Sequence, residues 1–167
     1  MRIFGIGTDI VECQRIARML AKHGEVFLRR VFTEQEIAYC HQRKRAAEHF
    51  AGRWAAKEAV FKALGTGWAK GMCWTDIEIV HDHLGQPQVQ VHGAVREYTE
   101  HKGIGGILVS ISHCRQYATA CAVAWLAGAG DHATDGVAGL STYAVGAEPN
   151  PCTATSEVRE SGSSHKQ

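Results

Sequence analysis

The chain has 167 residues, 45% of them hydrophobic, which suits one domain with a single core. Its 18 lysines and arginines against 17 acidic residues leave a formal charge of +1, so nothing draws it to nucleic acid at long range and any electrostatic recognition must be local. The first residues are charged and glycine-rich and no apolar run approaches ~18 residues, so neither a signal peptide nor a membrane span is expected. Six cysteines without a CxxC pair or zinc spacing read as reduced thiols of a cytoplasmic protein.

In chain order, residues 2–7 (RIFGIG) read as a buried strand whose glycines mark a close approach. Asp9 stands at its end, where an open α/β sheet commonly presents ligand groups. The plainer alternative makes Asp9 the N-cap of the next helix. That helix is expected from about Cys13 to Lys22, closed by Gly24. Cys13, Ile16, Ala17 and Leu20 share one side of it, and Arg15, Arg18 and Lys22 share the other, with Arg29 and Arg30 soon after. The basic face is either solvated surface or a landing place for an acidic partner. Thr33-Glu34-Gln35-Glu36 is a capping-box signature opening a helix toward the basic stretch Arg43-Lys44-Arg45.

The run from Phe50 to Gly65 (FAGRWAAKEAVFKALG) is strongly helix-forming, yet it carries charges where apolar residues would be ordinary. At roughly 100° per residue, Phe50, Trp54, Phe61 and Leu64 fall on one arc. Arg53 and Lys57 fall inside that arc, and Glu58 and Lys62 lie at its border. Ala51, Ala55, Ala59 and Ala63 make the opposite side small, so other backbone can pack close. Such a helix is buried. Charges on it cost several kcal/mol each unless they are paired or bind something ionic. The plain alternative is a helical Glu58–Lys62 pair worth about 0.2–0.5 kcal/mol, with Arg53 and Lys57 reaching the surface along their stems. Asp9 and Glu58 together supply two hard carboxylates. Mg²⁺ takes one or two carboxylates and completes its octahedron with water and phosphate oxygens.

Gly65-Thr66-Gly67 and Lys70-Gly71 form a glycine-rich turn without the spacing or the Lys-Ser/Thr ending of a Walker loop. Residues 76–80 and 88–92 alternate like two strands joined at Gly85-Gln86-Pro87. A helix over 94–102 follows, then paired strands over 107–111 and 118–125 around Cys114-Arg115-Gln116. From Gly128 onward Gly, Ala, Ser and Thr dominate, and the segment reads as a disordered or loosely packed tail. The whole is α+β.

Three of these segments carry a resemblance. Gly5-Ile6-Gly7-Thr8-Asp9-Ile10-Val11-Glu12 with Arg15, Gly52-Arg53-Trp54-Ala55-Ala56-Lys57-Glu58-Ala59 with Lys62, and Ser110-Ile111-Ser112-His113 resemble the three motifs of the holo-acyl-carrier-protein synthases. Trp74-Thr75-Asp76-Ile77-Glu78 followed by Gly85-Gln86-Pro87 is similar to the middle of that family. Order and spacing agree from residue 1 to about residue 125, and Trp54 stands where the family usually has Phe. The resemblance implies a phosphopantetheinyl-transferase fold, a small antiparallel sheet packed with a long central helix, over residues 1–126. Residues 127–167 have no counterpart in the usual short member.

The resemblance further implies that the 4′-phosphopantetheine arm of coenzyme A is transferred to a serine of an acyl carrier protein, in fatty-acid and lipid biosynthesis. The serine hydroxyl attacks the β-phosphorus and adenosine 3′,5′-bisphosphate leaves. Asp9 and Glu58 would hold Mg²⁺ against the pyrophosphate, and Lys62 would meet the same phosphates or the leaving oxygen. Arg45, Arg53 and Lys57 would contact the phosphates of coenzyme A, its 3′-phosphate included. His113 is expected as a phosphate contact rather than a general base, although a hydrogen-bonded structural histidine is the commoner case. Gly65 either lets the chain pass close to the nucleotide or simply caps the helix. Arg15 foremost, then Arg18 and Lys22, would meet the acidic, helical carrier. Short family members are homotrimers with the coenzyme at a subunit boundary, where Asp9 and Glu58 would meet Arg45 or His113 of a neighbour. The serine proton goes either to Glu58 or to a water held by a carboxylate. Three rivals stand beside this reading: a silent module that binds coenzyme A or a carrier, a Mg²⁺-dependent pyrophosphohydrolase, and a structural interaction protein.

Overall fold

The computed structural model describes residues 2–67 and 71–128. In chain order these form β1 (Arg2–Glu12), α1 (Cys13–Val31), α2 (Glu34–His41), α3 (Ala46–Leu64), a 3₁₀ turn (Trp74–Asp76), β2 (Ile77–His81), β3 (Pro87–Val91), α4 (Gly93–His101), β4 (Ile104–His113) and β5 (Tyr117–Leu126). Strands β1, β5 and β4 make an antiparallel sheet in that order, and β2 and β3 form a separate antiparallel hairpin. The expected α+β class holds. The expected tail falls, beyond Gly128, outside the described residues.

Helix α3 packs on the sheet through small residues on both sides. Ala51, Ala55, Ala59 and Ala63 are buried, and so are Ala118, Ala120, Ala122 and Ala124 on the facing side of β5. Gly5 and Gly7 of β1 lie against the helix backbone, and a methyl group at either would overlap the carbonyl of Ala63 or Ala59. The other side of α3 carries Phe50 and Phe61 into a core shared with Ile16, Phe32, Ile77 and Val95. Burying each large side chain of this kind contributes about 1.5–3 kcal/mol. Because the Ala59 carbonyl is backbone and cannot turn aside, Gly7→Ala is expected to destabilise by about 1–3 kcal/mol or more. The check is a lowered urea midpoint at unchanged slope.

Two elements differ from expectation. Strand β1 runs to Glu12, so Asp9 lies within the strand, paired in register with Ala120, and not at its end. It caps nothing: the N-cap of α1 is Glu12, whose side chain makes no capping bond. Helix α1 breaks at Gly24 (φ 49°, ψ −131°) as expected but re-enters helix at once. The second half buries Phe27, Leu28 and Val31, and Phe27 stacks on Trp54 of α3. The capping box of α2 is present in full, with Glu36 N–H donating to Thr33 Oγ1 and Thr33 N–H donating to the Glu36 carboxylate. Cys13, Cys40, Cys114 and Cys121 are free thiols, and burial pushes that of Cys40 up to about 12. Cys73 is disulfide-bonded, a correction to the expectation that every cysteine is reduced.

Candidate active site

The inward face of β1 reads Gly5, Gly7, Asp9, Val11. Two glycines bring the strand against α3, and the next inward position then carries a carboxylate beside the C-terminal half of that helix. Lys62 Nζ lies 2.8 Å from Asp9 Oδ1 and also donates to the Thr8 carbonyl at 2.9 Å. Lys62 thus reaches across to β1, so the alternative of a Glu58–Lys62 helical pair does not describe this site. Thr119 Oγ1 of β5 holds the Asp9 carbonyl at 2.9 Å.

Glu58, one turn before Lys62, is half-buried. Burial raises its carboxyl above the usual range, the negative charge of Asp9 raises it further, and Lys62 and Arg15 pull it back. Among the described residues no hydrogen bond or ion pair ties up the Glu58 oxygens. Two carboxylates that repel each other, one with free oxygens, form a donor set suited to Mg²⁺. Among the described residues no group of three or more His, Cys, Asp or Glu side chains is placed to hold a metal ion, here or elsewhere, so protein would supply two ligands at most. Arg15 of α1 also acts on Glu58, which puts the first residue of the basic face at the acidic pair. Arg18 and Lys22 are exposed on the same helix, Arg18 lying 4.0 Å from Glu12.

The other expected residues gather toward the opposite end of α3. Arg45 is the N-cap of the helix and lies 3.4 Å from Glu48, whose other oxygen is 3.6 Å from His113 Nδ1. His113 meets the ring of His49 at 5.2 Å between centroids. Arg53 is only 3% exposed, lies over the Tyr39 ring at 4.0 Å, and sends Nη2 to within 3.3 Å of His81 Nδ1. A cavity of about 170 Å³ opens among Tyr39, His49, Arg53, His81, Ile111 and His113. Glu58 is roughly 15 Å along the helix from Glu48, at 1.5 Å per residue. One chain therefore holds two separate clusters.

Lys57 belongs to neither. It is fully buried, 2.7 Å from Glu36, and its ammonium also donates to the carbonyls of Val31 at 2.7 Å and Trp74 at 3.0 Å. An ammonium has three donors, and all three are engaged. The expectation of a phosphate contact at Lys57 is corrected: the side chain is an internal brace. Gly65 is exposed, left-handed (φ 70°), and has nothing near its absent side chain, so capping α3 accounts for it. Sequence reasoning missed Tyr39, Glu48, His49 and His81. His49 stands one turn before Arg53, a spacing that could have been read, whereas nothing local marks His81.

A strand carboxylate facing a glutamate and a lysine on a buried helix, with a separate cationic pocket, defines an α+β protein built to handle phosphate groups. The chain belongs to the 4′-phosphopantetheinyl transferase superfamily, whose family model matches residues 5–122. It is 50% identical over 119 residues to a holo-[acyl-carrier-protein] synthase of Protochlamydia amoebophila, covering 71% of this chain and 95% of that one. Among solved structures, the holo-[acyl-carrier-protein] synthase of Neisseria meningitidis superposes with a TM-score of 0.69 at 37% identity, covering 74% of this chain and 98% of the other. The Helicobacter pylori synthase, solved in complex with coenzyme A, superposes at 0.65 and 31% identity over 72% of this chain and 99% of that one.

Proposed function

We propose that this protein transfers the 4′-phosphopantetheine arm of coenzyme A to a serine of an acyl carrier protein, releasing adenosine 3′,5′-bisphosphate. The observation that carries the reading is the Asp9–Lys62–Glu58 cluster, in a chain 50% identical over 119 residues to a holo-[acyl-carrier-protein] synthase. The serine oxygen forms a bond to the β-phosphorus as the bond from that phosphorus to the bridging oxygen breaks. The serine proton passes to a carboxylate, to Glu58 directly or through a water. Lys62 meets the charge that grows on the departing bisphosphate. Asp9 and Glu58 are the residues that would hold Mg²⁺, which supplies neutralisation of the pyrophosphate oxygens. Arg15, with Arg18 and Lys22 behind it, receives the acidic carrier beside these carboxylates. The reaction belongs to cytoplasmic fatty-acid synthesis.

The working unit in this reading is a homotrimer. Two features support it. The outward face of the three-stranded sheet exposes Ile6 (66%), Ile10 (66%) and Leu108 (49%), an apolar surface suited to a second copy. Arg45 and His113 stand too far along α3 to share one pyrophosphate with Glu58 of their own chain, and a neighbouring copy would bring them there. Light scattering at micromolar concentration should give three times the chain mass, and a monomer would overturn the assembly.

The test of function is the intact mass of an apo acyl carrier protein after incubation with this protein, coenzyme A and Mg²⁺, beside an EDTA control. A gain of one phosphopantetheine, lost with EDTA, is expected. Coenzyme A consumed without carrier modification would instead make the protein a hydrolase.

A further inference from the structure

Two of the free thiols meet where β1 hands over to α1 and β4 turns back into β5, and the transfer chemistry above uses neither. Cys13 is the first residue of α1 and only 4% exposed, whereas Cys114 follows directly on β4 and is exposed. One turn holds both backbones. Cys13 N–H donates to the Gln116 carbonyl at 2.8 Å, and Cys114 N–H donates to the Tyr117 carbonyl at 2.8 Å. The Cys13 thiol in turn donates to the Cys114 carbonyl oxygen, with Sγ 3.6 Å from it. That oxygen and the Cys114 Cβ hang from one Cα, so the buried sulfur lies against the residue that a disulfide would join it to. Packed neighbours do not enclose the Cys114 side chain, which can turn toward its partner. Cys40, fully buried, has no such access.

We propose that Cys13 and Cys114 form a reversible oxidation site: a hydroperoxide converts the pair to a disulfide, and the disulfide slows phosphopantetheine transfer. The effect on rate rests on the transferase reading above, whereas the bond itself does not. The exposed thiol reacts first. Backbone N–H groups of Tyr117 and Gln116 favour the Cys114 thiolate and hold its thiol below the ordinary value. Cys13 is the opposite case, since burial pushes its thiol up and the charges of Glu48 and of a Cys114 thiolate push it further. The Cys114 thiolate attacks the O–O bond, keeps one oxygen as a sulfenic acid and releases the other, once protonated, as water or an alcohol. The Cys13 sulfur then attacks the Cys114 sulfur, and the hydroxide that leaves takes the Cys13 proton as water. The two thiols have given two electrons to the peroxide, and an external dithiol returns them by exchange. A bond that forms and is reduced again suits a reducing compartment, where permanent disulfides are rare. Arg15 stands two residues beyond Cys13, and His113 is next to Cys114. One covalent bond therefore ties the carrier contact to the phosphate contact, and neither can shift on binding without the other.

Peptide mapping and a rate measurement test the two halves separately. The full chain is reduced with dithiothreitol, freed of it and exposed to hydrogen peroxide. Remaining thiols are blocked with N-ethylmaleimide before proteolysis without reductant. A peptide pair linked through Cys13 and Cys114 is expected, with carrier modification slowed several-fold and restored by dithiothreitol. Cys114→Ser, at an exposed position, should transfer at the wild-type rate, form no such pair and lose the slowing by peroxide. In Cys13→Ser the reaction should stop at the sulfenic acid, which dimedone labels at Cys114. No linked peptide, a link to a second copy of the chain instead, or slowing that survives in Cys114→Ser would each overturn the proposal. A linked peptide with an unchanged rate would overturn the control of transfer. Absence of transfer before oxidation would overturn the transferase reading, and the linked peptide would still decide the site. If Cys13→Ser fails to fold, the wild type and Cys114→Ser decide between them.

Discussion

Glu58→Gln and Asp9→Asn are each expected to lower carrier modification about 10²–10³-fold, the scale on which losing one preorganised electrostatic contact to a reacting group acts. Both substitutions keep shape and remove charge. The stability cost should be small, because the Asp9–Lys62 pair is partly exposed and such pairs contribute about 0–1 kcal/mol. For Glu58 the change is expected to be neutral or slightly stabilising: burial and the nearby Asp9 charge already disfavour its ionised form. Thermal melting close to wild type, together with collapsed transfer, would place the loss in chemistry rather than folding. The two variants should also differ in a way that reports Lys62. Asp9→Asn takes the ionic partner from Lys62 and leaves it the Thr8 carbonyl, whereas Glu58→Gln leaves the Asp9–Lys62 bond intact. Raising Mg²⁺ should recover more activity in whichever variant keeps the stronger remaining carboxylate. Transfer at wild-type rate in either variant would remove that residue from the metal assignment.

Much of this arrangement was legible because the residues announce their own conflict. Charges on a helix that is apolar or small all round demand partners, and α3 does bury Arg53 and Lys57. What the pattern did not reveal was which partner each charge takes. Spacing alone suggested Glu58 with Lys62, but the glycines of β1 bring Asp9 close enough to take the lysine. The same glycines hid the length of β1. Its inward face is filled by helix backbone rather than side chains, so the alternation of Gly7, Asp9 and Val11 with Ile6, Thr8 and Ile10 does not look like a buried strand. Gly24 was legible as a break but not as a kink. The return to helix depends on Phe27 finding Trp54, a contact across the fold. His81 became a site residue only when the β2–β3 hairpin brought it beside Arg53.

Lys57→Met is expected to cost about 3–5 kcal/mol of stability, the loss typical when one partner of a buried ion pair is removed. Lys57 and Glu36 are both fully buried, and each also serves the backbone. Glu36 accepts from Ile79 N–H at 3.1 Å and Thr33 N–H at 2.9 Å, while Lys57 closes the carbonyls of Val31 and Trp74. One side-chain pair thus joins the end of α1, the start of α2, β2, the 3₁₀ turn and α3. Burial pushes the Lys57 ammonium down and the Glu36 charge holds it up, so removing the lysine strands a carboxylate in the core. Glu36→Gln/Lys57→Met removes both charges, but the amide keeps an acceptor for only one of the two backbone donors, Ile79 N–H and Thr33 N–H. The double variant should recover part of the loss in urea unfolding, the remainder reflecting backbone groups left unpaired, a coupling that two independent surface charges would not show. It also decides what Lys57 does in a motif it shares with Glu58. As a brace it fixes the rotation of α3, and the refolded double variant should bind coenzyme A like the wild type. If that variant is stable yet binds coenzyme A tenfold or more weakly, the ammonium touches phosphate after all, and the internal ion pair is only its resting place.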